Sequence, residues 1–358
     1  GYRPIIDAAL DMHALGSRLA DDGIDRLTCP PDKEPLDDER AIVEMLSATS
    51  PPELRRMVGP SLSGAQQTVL IPNTKAALLQ AAHEHPDATL AAGSTEIGVW
   101  LNKLHQDLGV TIIVTEVDEL RSISSSEGVI NIGAAAPLTD VHAAMMDEYP
   151  ELDELFKRFA SPPVRNAATL GGNLANASPI GDMPPALMAL EARVVLESLG
   201  GVREVPLDEF FTGYRTTVIA PGEVMTHVLV PCRPAGMALR VHKVSRRIDQ
   251  DISAVCGAFA ITFGGAEVAT SRVAFGGVAA TPVRLKACEA ALLGTTLTST
   301  PSRAALAAIE ASIKPLSDVR ASADYRMRIA TNLLRRTHME IAGVEPTRVH
   351  AIDVGDFL

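Results

Sequence analysis

Ala167 to Asp182 reads A-A-T-L-G-G-N-L-A-N-A-S-P-I-G-D, with no charged side chain before the last position. Gly171, Gly172 and Gly181 stand beside Thr169, Asn173, Asn176 and Ser178. Glycine and asparagine disfavour helix interiors, and Pro179 would break a long helix. The segment is therefore expected to bend closely around something while offering backbone N–H groups and short polar side chains. That suits an anion such as a pyrophosphate, held by amide dipoles instead of lysines. A Gly/Asn-rich surface turn has the same composition, so the stretch alone does not decide between the two.

A second stretch adds weight. Residues 91–98 read A-A-G-S-T-E-I-G, after an expected strand over 88–92 and before an expected helix. Strand, small-residue loop and helix together aim N–H groups at a phosphate. Neither loop is the G-x-G-x-x-G or the G-x-x-x-x-G-K pattern, so those nucleotide folds are not supported. Two phosphate-friendly loops in one chain point to a ligand clasped between two lobes.

With 358 residues the chain is long enough for two or three compact units. Its net charge of −12 argues against nucleic acid, which wants a basic face. No apolar run reaches the ~20 residues of a membrane span. Cys29, Cys232, Cys256 and Cys288 lie far apart with no C-x-x-C pair, so reduced thiols in a cytoplasmic protein are expected, not metal or cluster ligands. His83 and His85 are the nearest histidine pair, and at that spacing they do not share a helix face, so no metal site is expected. No Ser–His–Asp arrangement or other nucleophile motif is evident.

The pattern predicts three regions. Residues 1–64 read as an N-terminal helical tail and linkers, with a helix over 5–19, a short one over 38–46, and Pro/Gly-rich connections at 23–38 and 47–64. Residues 65–234 alternate strands and helices as a two-lobed α/β unit. Strands are expected at 69–71, 88–92, 111–114, 129–134 and 194–197, and helices at 73–85, 95–104, 139–147, 151–159 and 185–191. Residues 235–358 follow as strands at 239–244, 255–263 and 272–279, then helices at 283–293, 302–313 and 323–342, an α+β layer.

A-G-S-T-E-I-G at 92–98, T-L-G-G-N-L-A-N-A-S-P-I-G-D at 169–182 and K-V-S-R-R-I-D-Q-D-I-S-A-V at 243–255 closely resemble the flavin domain of molybdenum hydroxylases. Within that family the small, FAD-carrying subunit of bacterial xanthine dehydrogenases is most similar. The resemblance implies a two-lobed FAD-binding domain of the vanillyl-alcohol-oxidase type, then an α+β C-terminal domain of the CO dehydrogenase flavoprotein type. It also implies that G-Y-R-P-I-I-D-A-A at the start follows a 2Fe–2S iron–sulfur domain, and that a partner large subunit carries molybdopterin. Electrons from a purine would then pass through iron–sulfur clusters to FAD and on to NAD⁺. Other reducing substrates of the family (carbon monoxide, an aldehyde, an aromatic thioester) stay open, as does a flavin-carrying docking module.

By the same resemblance Leu90, Ala91, Ala92, Gly93, Ser94, Thr95, Glu96, Ile97, Phe159, Ala168, Thr169, Gly172, Asn173, Asn176, Asp182, Met225 and Lys243 are FAD contacts. Glycines at 93, 171 and 172 would let backbone approach the ligand, and the hydroxyls and Asn173 can donate to phosphate oxygens. Asp182 could hold ribose or adenine donors, or cap a helix. Glu96 would be repelled by a pyrophosphate, so it either caps a helix or sits near the flavin or nicotinamide ring. Lys243 would stabilise negative charge on reduced flavin. Tyr214, Arg247 and Asp249 are candidates for shaping the approach of NAD⁺, Tyr214 being equally readable as a core aromatic. Asp318, Arg320 and Arg326, in P-L-S-D-V-R-A-S-A-D-Y-R at 315–326, read as structural ion pairs.

Overall fold

The computed structural model describes residues 37–47, 52–61, 63–248, 250–297 and 300–344. Contacts divide the chain into two units, Gly1–Pro52 and Glu53–Leu358. In the first, the described element is the helix Asp37–Ser47. The helix expected over 5–19 and Cys29 lie outside the described residues.

The larger unit opens with a small mixed sheet of β1 (Leu54–Pro60), β2 (Gln66–Pro72), β3 (Thr89–Ala91) and β4 (Val110–Ile113) in the order β1-β2-β4-β3. β1 is antiparallel to β2, while β2, β4 and β3 run parallel. β1 lies inside the stretch expected to be linker. Its Gly59 and terminal Pro60 are tolerated because it is an edge strand, where a missing donor does not break a ladder. The helix Lys75–Glu84 starts where Thr74 accepts the N–H of Ala77 (3.1 Å), and it buries Leu78, Ala81 and Ala82. They pack in a core with Leu70 and Ile112.

β5 (Ile123–Ser126), β6 (Val129–Gly133), β7 (Arg193–Ser198) and β8 (Gly201–Pro206) come next, then a small ribbon of β9 (Phe211–Gly213) and β10 (Thr216–Thr217), then β11 (Val224–Pro231). The second sheet is fully antiparallel with order β5-β6-β11-β7-β8. Its central strand, V-M-T-H-V-L-V-P, is absent from the sequence expectation, as is β8. The expected helix over 151–159 is a 3₁₀ turn, Pro150–Leu152, followed by the helix Asp153–Lys157.

β12 (Met237–Val244), β13 (Val255–Gly264), β14 (Glu267–Gly276) and β15 (Val283–Arg284) form an antiparallel sheet in that order. β13 shows how sequence period builds the layers. Val255, Phe259 and Ile261 point to a core with the helices Lys286–Leu292, Arg303–Ser312 and Ala323–Ile341. The alternate residues Cys256, Ala258 and Ala260 are small, and they join the core of the second sheet. All seven residues of the helix Met183–Ala189 are buried beside them. Each large side chain so buried contributes on the order of 1.5–3 kcal/mol. A single helix was expected over 283–293. Instead β15 takes its first two residues, and Arg284 pairs with Glu289 at 2.7 Å across the start of the helix Lys286–Leu292.

Among the described residues no helix is long and apolar enough to cross a membrane. Burial pushes the thiol of Cys256 far up and that of Cys288 up to about 12, whereas Cys232 is only half-buried. Thiolate is the reactive form. Native protein at about pH 8 is therefore expected to lose the Cys232 thiol to iodoacetamide well before Cys256 or Cys288, as read by peptide mass spectrometry. Equal labelling of the three would contradict this packing.

Candidate functional site

A cavity of about 770 Å³ opens in the larger unit, and its walls come from all three sheet regions. From the sequence candidates it gathers Leu90, Ala92, Gly93, Ser94, Thr95, Glu96, Ile97, Phe159, Ala168, Thr169, Gly172, Asn173, Asn176, Asp182, Met225 and Lys243. Ala91 is buried in β3 behind the wall. Tyr214 is 65% exposed on the turn between β9 and β10, and Arg247 projects from the loop after β12; neither lines the cavity. Asp249 lies outside the described residues.

The three glycines play different parts. A Cβ on Gly93 would lie 1.7 Å from the carbonyl oxygen of Ala167, and one on Gly171 would lie 2.6 Å from Ala134. Both residues are therefore glycine because protein backbone, not ligand, approaches them. Gly93 is where the two loops touch. At Gly172 a Cβ would meet only the Thr169 hydroxyl, at 2.9 Å, and the residue faces the cavity. Gly172→Leu is expected to fill that space; displacing the Thr169 hydroxyl that caps the helix Leu170–Ala175 offsets the up to about 1 kcal/mol that leucine gains over glycine in a helix. Flavin content after denaturing extraction should fall at least roughly tenfold with the melting temperature held, an affinity loss of about 1.4 kcal/mol or more. Full flavin content in that variant would refute the placement.

The amides divide unevenly between the loops. In the second loop Leu170 N donates to Ala136 O (3.2 Å), Gly171 N to Ala134 O (2.9 Å) and Gly172 N to Thr169 Oγ1 (3.1 Å). Those groups hold the fold, contrary to the expectation that they grip an anion. In the first loop, none of the described residues accepts a hydrogen bond from the main-chain N–H of residues 93–97. Gly93 to Ile97 line the cavity, and unpaired N–H groups in a concave run attract an anion. The buried Oδ1 of Asn173, on the cavity wall, likewise lacks a partner. A buried carbonyl left so is costly unless a donor arrives.

Backbone strain gathers here too. Among the described residues eight non-glycines have positive φ, and four of them, Ser94 (55°), Ala160 (45°), Arg215 (53°) and Gln250 (48°), line the cavity. Such conformations persist only where the surroundings over-determine them.

Charge on the walls is largely paired. Lys243 Nζ meets Asp182 Oδ2 at 2.6 Å with both side chains buried, and it also donates to Arg158 O at 3.0 Å. Ser253 Oγ donates to the other Asp182 oxygen. Asp182 thus stands at the start of the helix Met183–Ala189 without capping it, its carboxylate engaged by Lys243 and Ser253. Arg158 returns a bond to Lys243 O (2.8 Å) and reaches Ser245 Oγ and Ile248 O (both 3.0 Å), tying down the loop after β12. Glu96 stands at the N-cap of the helix Ile97–Asn102 without capping it; its carboxylate pairs with Arg215 at 3.0 Å. Arg215, Arg158, Ser253, Trp100 and Arg320 were not singled out as ligand contacts. Ser253 and Arg320 sit within motifs quoted above, Arg215 directly follows Tyr214, and Trp100 is the chain's single tryptophan, next to the first loop. Those were the available signals. Among the described residues no His/Cys/Asp/Glu group could hold a metal ion.

Comparison with known proteins follows this geometry closely. Residues 64–233 match the model of the FAD binding domain in molybdopterin dehydrogenase, and residues 240–341 that of the CO dehydrogenase flavoprotein C-terminal domain. The chain is 33% identical over 233 residues to the xanthine dehydrogenase/oxidase of Gallus gallus, covering 61% of this chain but only 17% of that protein. It is 32% identical over 252 residues to the carbon monoxide dehydrogenase medium chain of Hydrogenophaga pseudoflava, covering 70% of this chain and 88% of that one. A solved structure of carbon monoxide dehydrogenase from the same organism superposes with a TM-score of 0.72 at 30% identity, covering 78% of this chain and 96% of its counterpart.

Proposed function

Since the chain belongs to the FAD-binding flavoprotein family of molybdenum hydroxylases, with the two-domain fold of that family, we propose that it serves a xanthine dehydrogenase-like enzyme that delivers electrons from a purine to NAD⁺. The cofactor of the chain is FAD, which when bound supplies two-electron redox chemistry. Molybdopterin on a large partner subunit and 2Fe–2S iron–sulfur centres would supply the electrons. Purine as reductant is supported by the 33% identity to a xanthine dehydrogenase/oxidase. A carbon monoxide dehydrogenase-like role is the second reading, favoured by the 88% cover of that medium chain. The division between flavin-binding and C-terminal parts is placed near residue 235, between β11 and β12.

One observation carries the reading: residues 93–97, whose five amides have no acceptor among the described residues, line one cavity with Asn173, whose buried Oδ1 is orphaned. These groups fit a dinucleotide, which brings phosphate acceptors to the amides and N–H or O–H donors to the amide carbonyl. The open face of Gly172 admits it, and Phe159, Met225 and Trp100 give apolar surface for its rings. Lys243, locked against Asp182 and Arg158 O, has one N–H left to offer the cavity. Exposed Tyr214 adjoins in sequence Arg215 of the cavity wall, which supports it as the aromatic that a nicotinamide meets. No protein general base is required of this chain.

The test is to extract flavin from purified chain, identify it, and assay NADH oxidation with an artificial acceptor. FAD with turnover supports the dehydrogenase reading. Retained FAD with no NADH reaction replaces it by the docking module, and folded protein that takes up no flavin sinks both. Reduction of the bound flavin by xanthine or by carbon monoxide, in the complex with its large subunit, separates the two substrate readings.

A further inference from the structure

Three cationic side chains line the cavity: Arg215, Lys243 and Arg320. Lys243 is taken by Asp182 at 2.6 Å and Arg215 by Glu96 at 3.0 Å. Arg320 is different. Its nearest carboxylate oxygen, on Asp318, is 3.9 Å away, too far for a hydrogen bond, and among the described residues nothing accepts from its guanidinium. Its side chain is one-third exposed, at 33%.

The backbone beneath Arg320 is nonetheless fixed. Asp318 Oδ1 accepts the N–H groups of Arg320 (2.8 Å) and Ala321 (3.1 Å), and Asp318 N donates to Ala321 O (3.0 Å). Arg326, buried, binds the same Asp318 oxygen at 2.8 Å and Gly277 O at 2.9 Å, and it also donates to Ala254 O. Those hydrogen bonds, with that of Arg320's own N–H, hold Asp318's carboxyl below the usual carboxylate range despite the opposing desolvation. Asp318 is therefore committed to Arg326 and the loop, and Arg320 is presented to the cavity with its five donors open.

We propose that Arg320 is the cavity's anion-binding cation, pairing from the C-terminal domain with a phosphate of the bound dinucleotide. The proposal rests on the FAD reading above. A planar guanidinium recognises phosphate bidentately, and the amides of residues 93–97 carry no full charge of their own. Two sources share this chemistry: the diphosphate of FAD and that of NAD⁺.

Arg320→Gln and Arg320→Lys, made in the full chain and freed of flavin, are titrated with FAD by fluorescence at low and high salt, and after reconstitution with NADH. Arg320→Gln is expected to weaken FAD roughly tenfold, about 1.4 kcal/mol, with a shallower salt dependence, while Arg320→Lys keeps the salt slope. The flavin-free melting temperature should not move, because among the described residues none accepts a hydrogen bond from the side chain and its ion pair with Asp318 is long, at 3.9 Å. Unchanged FAD affinity with NADH weakened to that extent assigns the phosphate to the second nucleotide. Unchanged affinity for both overturns the proposal, as does a flavin-free melting temperature that falls in both variants, since that marks a folding role. Wild-type chain that binds no FAD defeats the FAD reading itself, an outcome separate from a variant that binds as tightly as wild type.

Discussion

Gly93→Ala is expected to unfold the protein at a markedly lower temperature and to strip it of flavin. The added Cβ would stand 1.7 Å from Ala167 O, 2.4 Å from Ala167 C and 2.9 Å from Ala168 Cα. All three are backbone atoms, so no rotamer change can relieve the overlap, and the two loops must separate. Overpacking of side chains costs about 1–3 kcal/mol, and a clash against main chain belongs at or above the top of that range. Taking about 3 kcal/mol, the melting temperature should fall by roughly 6–12 °C. Separation of the loops also moves the amides of residues 93–97 away from Gly172 and Asn173, so flavin should be lost with stability. The contrast with Gly172→Leu is the check, since that change should remove flavin and leave the melting temperature in place. A Gly93→Ala protein that melts with wild type and keeps its flavin would refute the loop contact.

Asp182→Leu is expected to destabilise the protein by about 3–5 kcal/mol, because it strands the Lys243 ammonium in a buried site. The pair lies at 2.6 Å with side-chain exposures of 3% and 7%, and Ser253 also loses its acceptor. The remaining contact, Lys243 to Arg158 O at 3.0 Å, is neutral and does not offset a buried charge. Adding Lys243→Met should restore most of the loss, since an apolar replacement of a whole buried pair is often neutral. Denaturant unfolding of the two single variants and the double variant closes a cycle. Additive losses would mean that the two groups do not act as a pair.

Reduction of the flavin bears on the same residues differently. Lys243→Met should shift the reduction potential of bound FAD, since it removes the positive charge closest to Asp182 on that wall. A potentiometric titration that matches wild type would show that the lysine serves packing and charge neutralisation alone.

The local order of this chain was largely written in its sequence. The two charge-poor loops, the helices expected over 73–85, 302–313 and 323–342 and the strand over 255–263 are properties of neighbouring positions, and period and propensity report them. β11 escaped because Thr226 and His227 interrupt its apolar residues and Val228 to Pro231 are apolar on both faces, so the sequence shows no alternation although burial alternates from Thr226 on. β1 escaped because Pro51 and Pro52 before it, with Gly59 and Pro60 at its end, imitate a linker. What only the tertiary structure decided was how far-apart positions neutralise one another. Asp182 meets Lys243 across 61 positions and Glu96 meets Arg215 across 119. Gly93 needs to be glycine because of a carbonyl at Ala167, and the amides of Leu170 and Gly171 are taken by Ala136 and Ala134. Propensity acts over a few residues, whereas satisfaction of a buried charge or amide depends on whichever segment the packing brings within about 3 Å. The sequence therefore showed which loops could hold an anion, and the packing decided which of them still has donors to give.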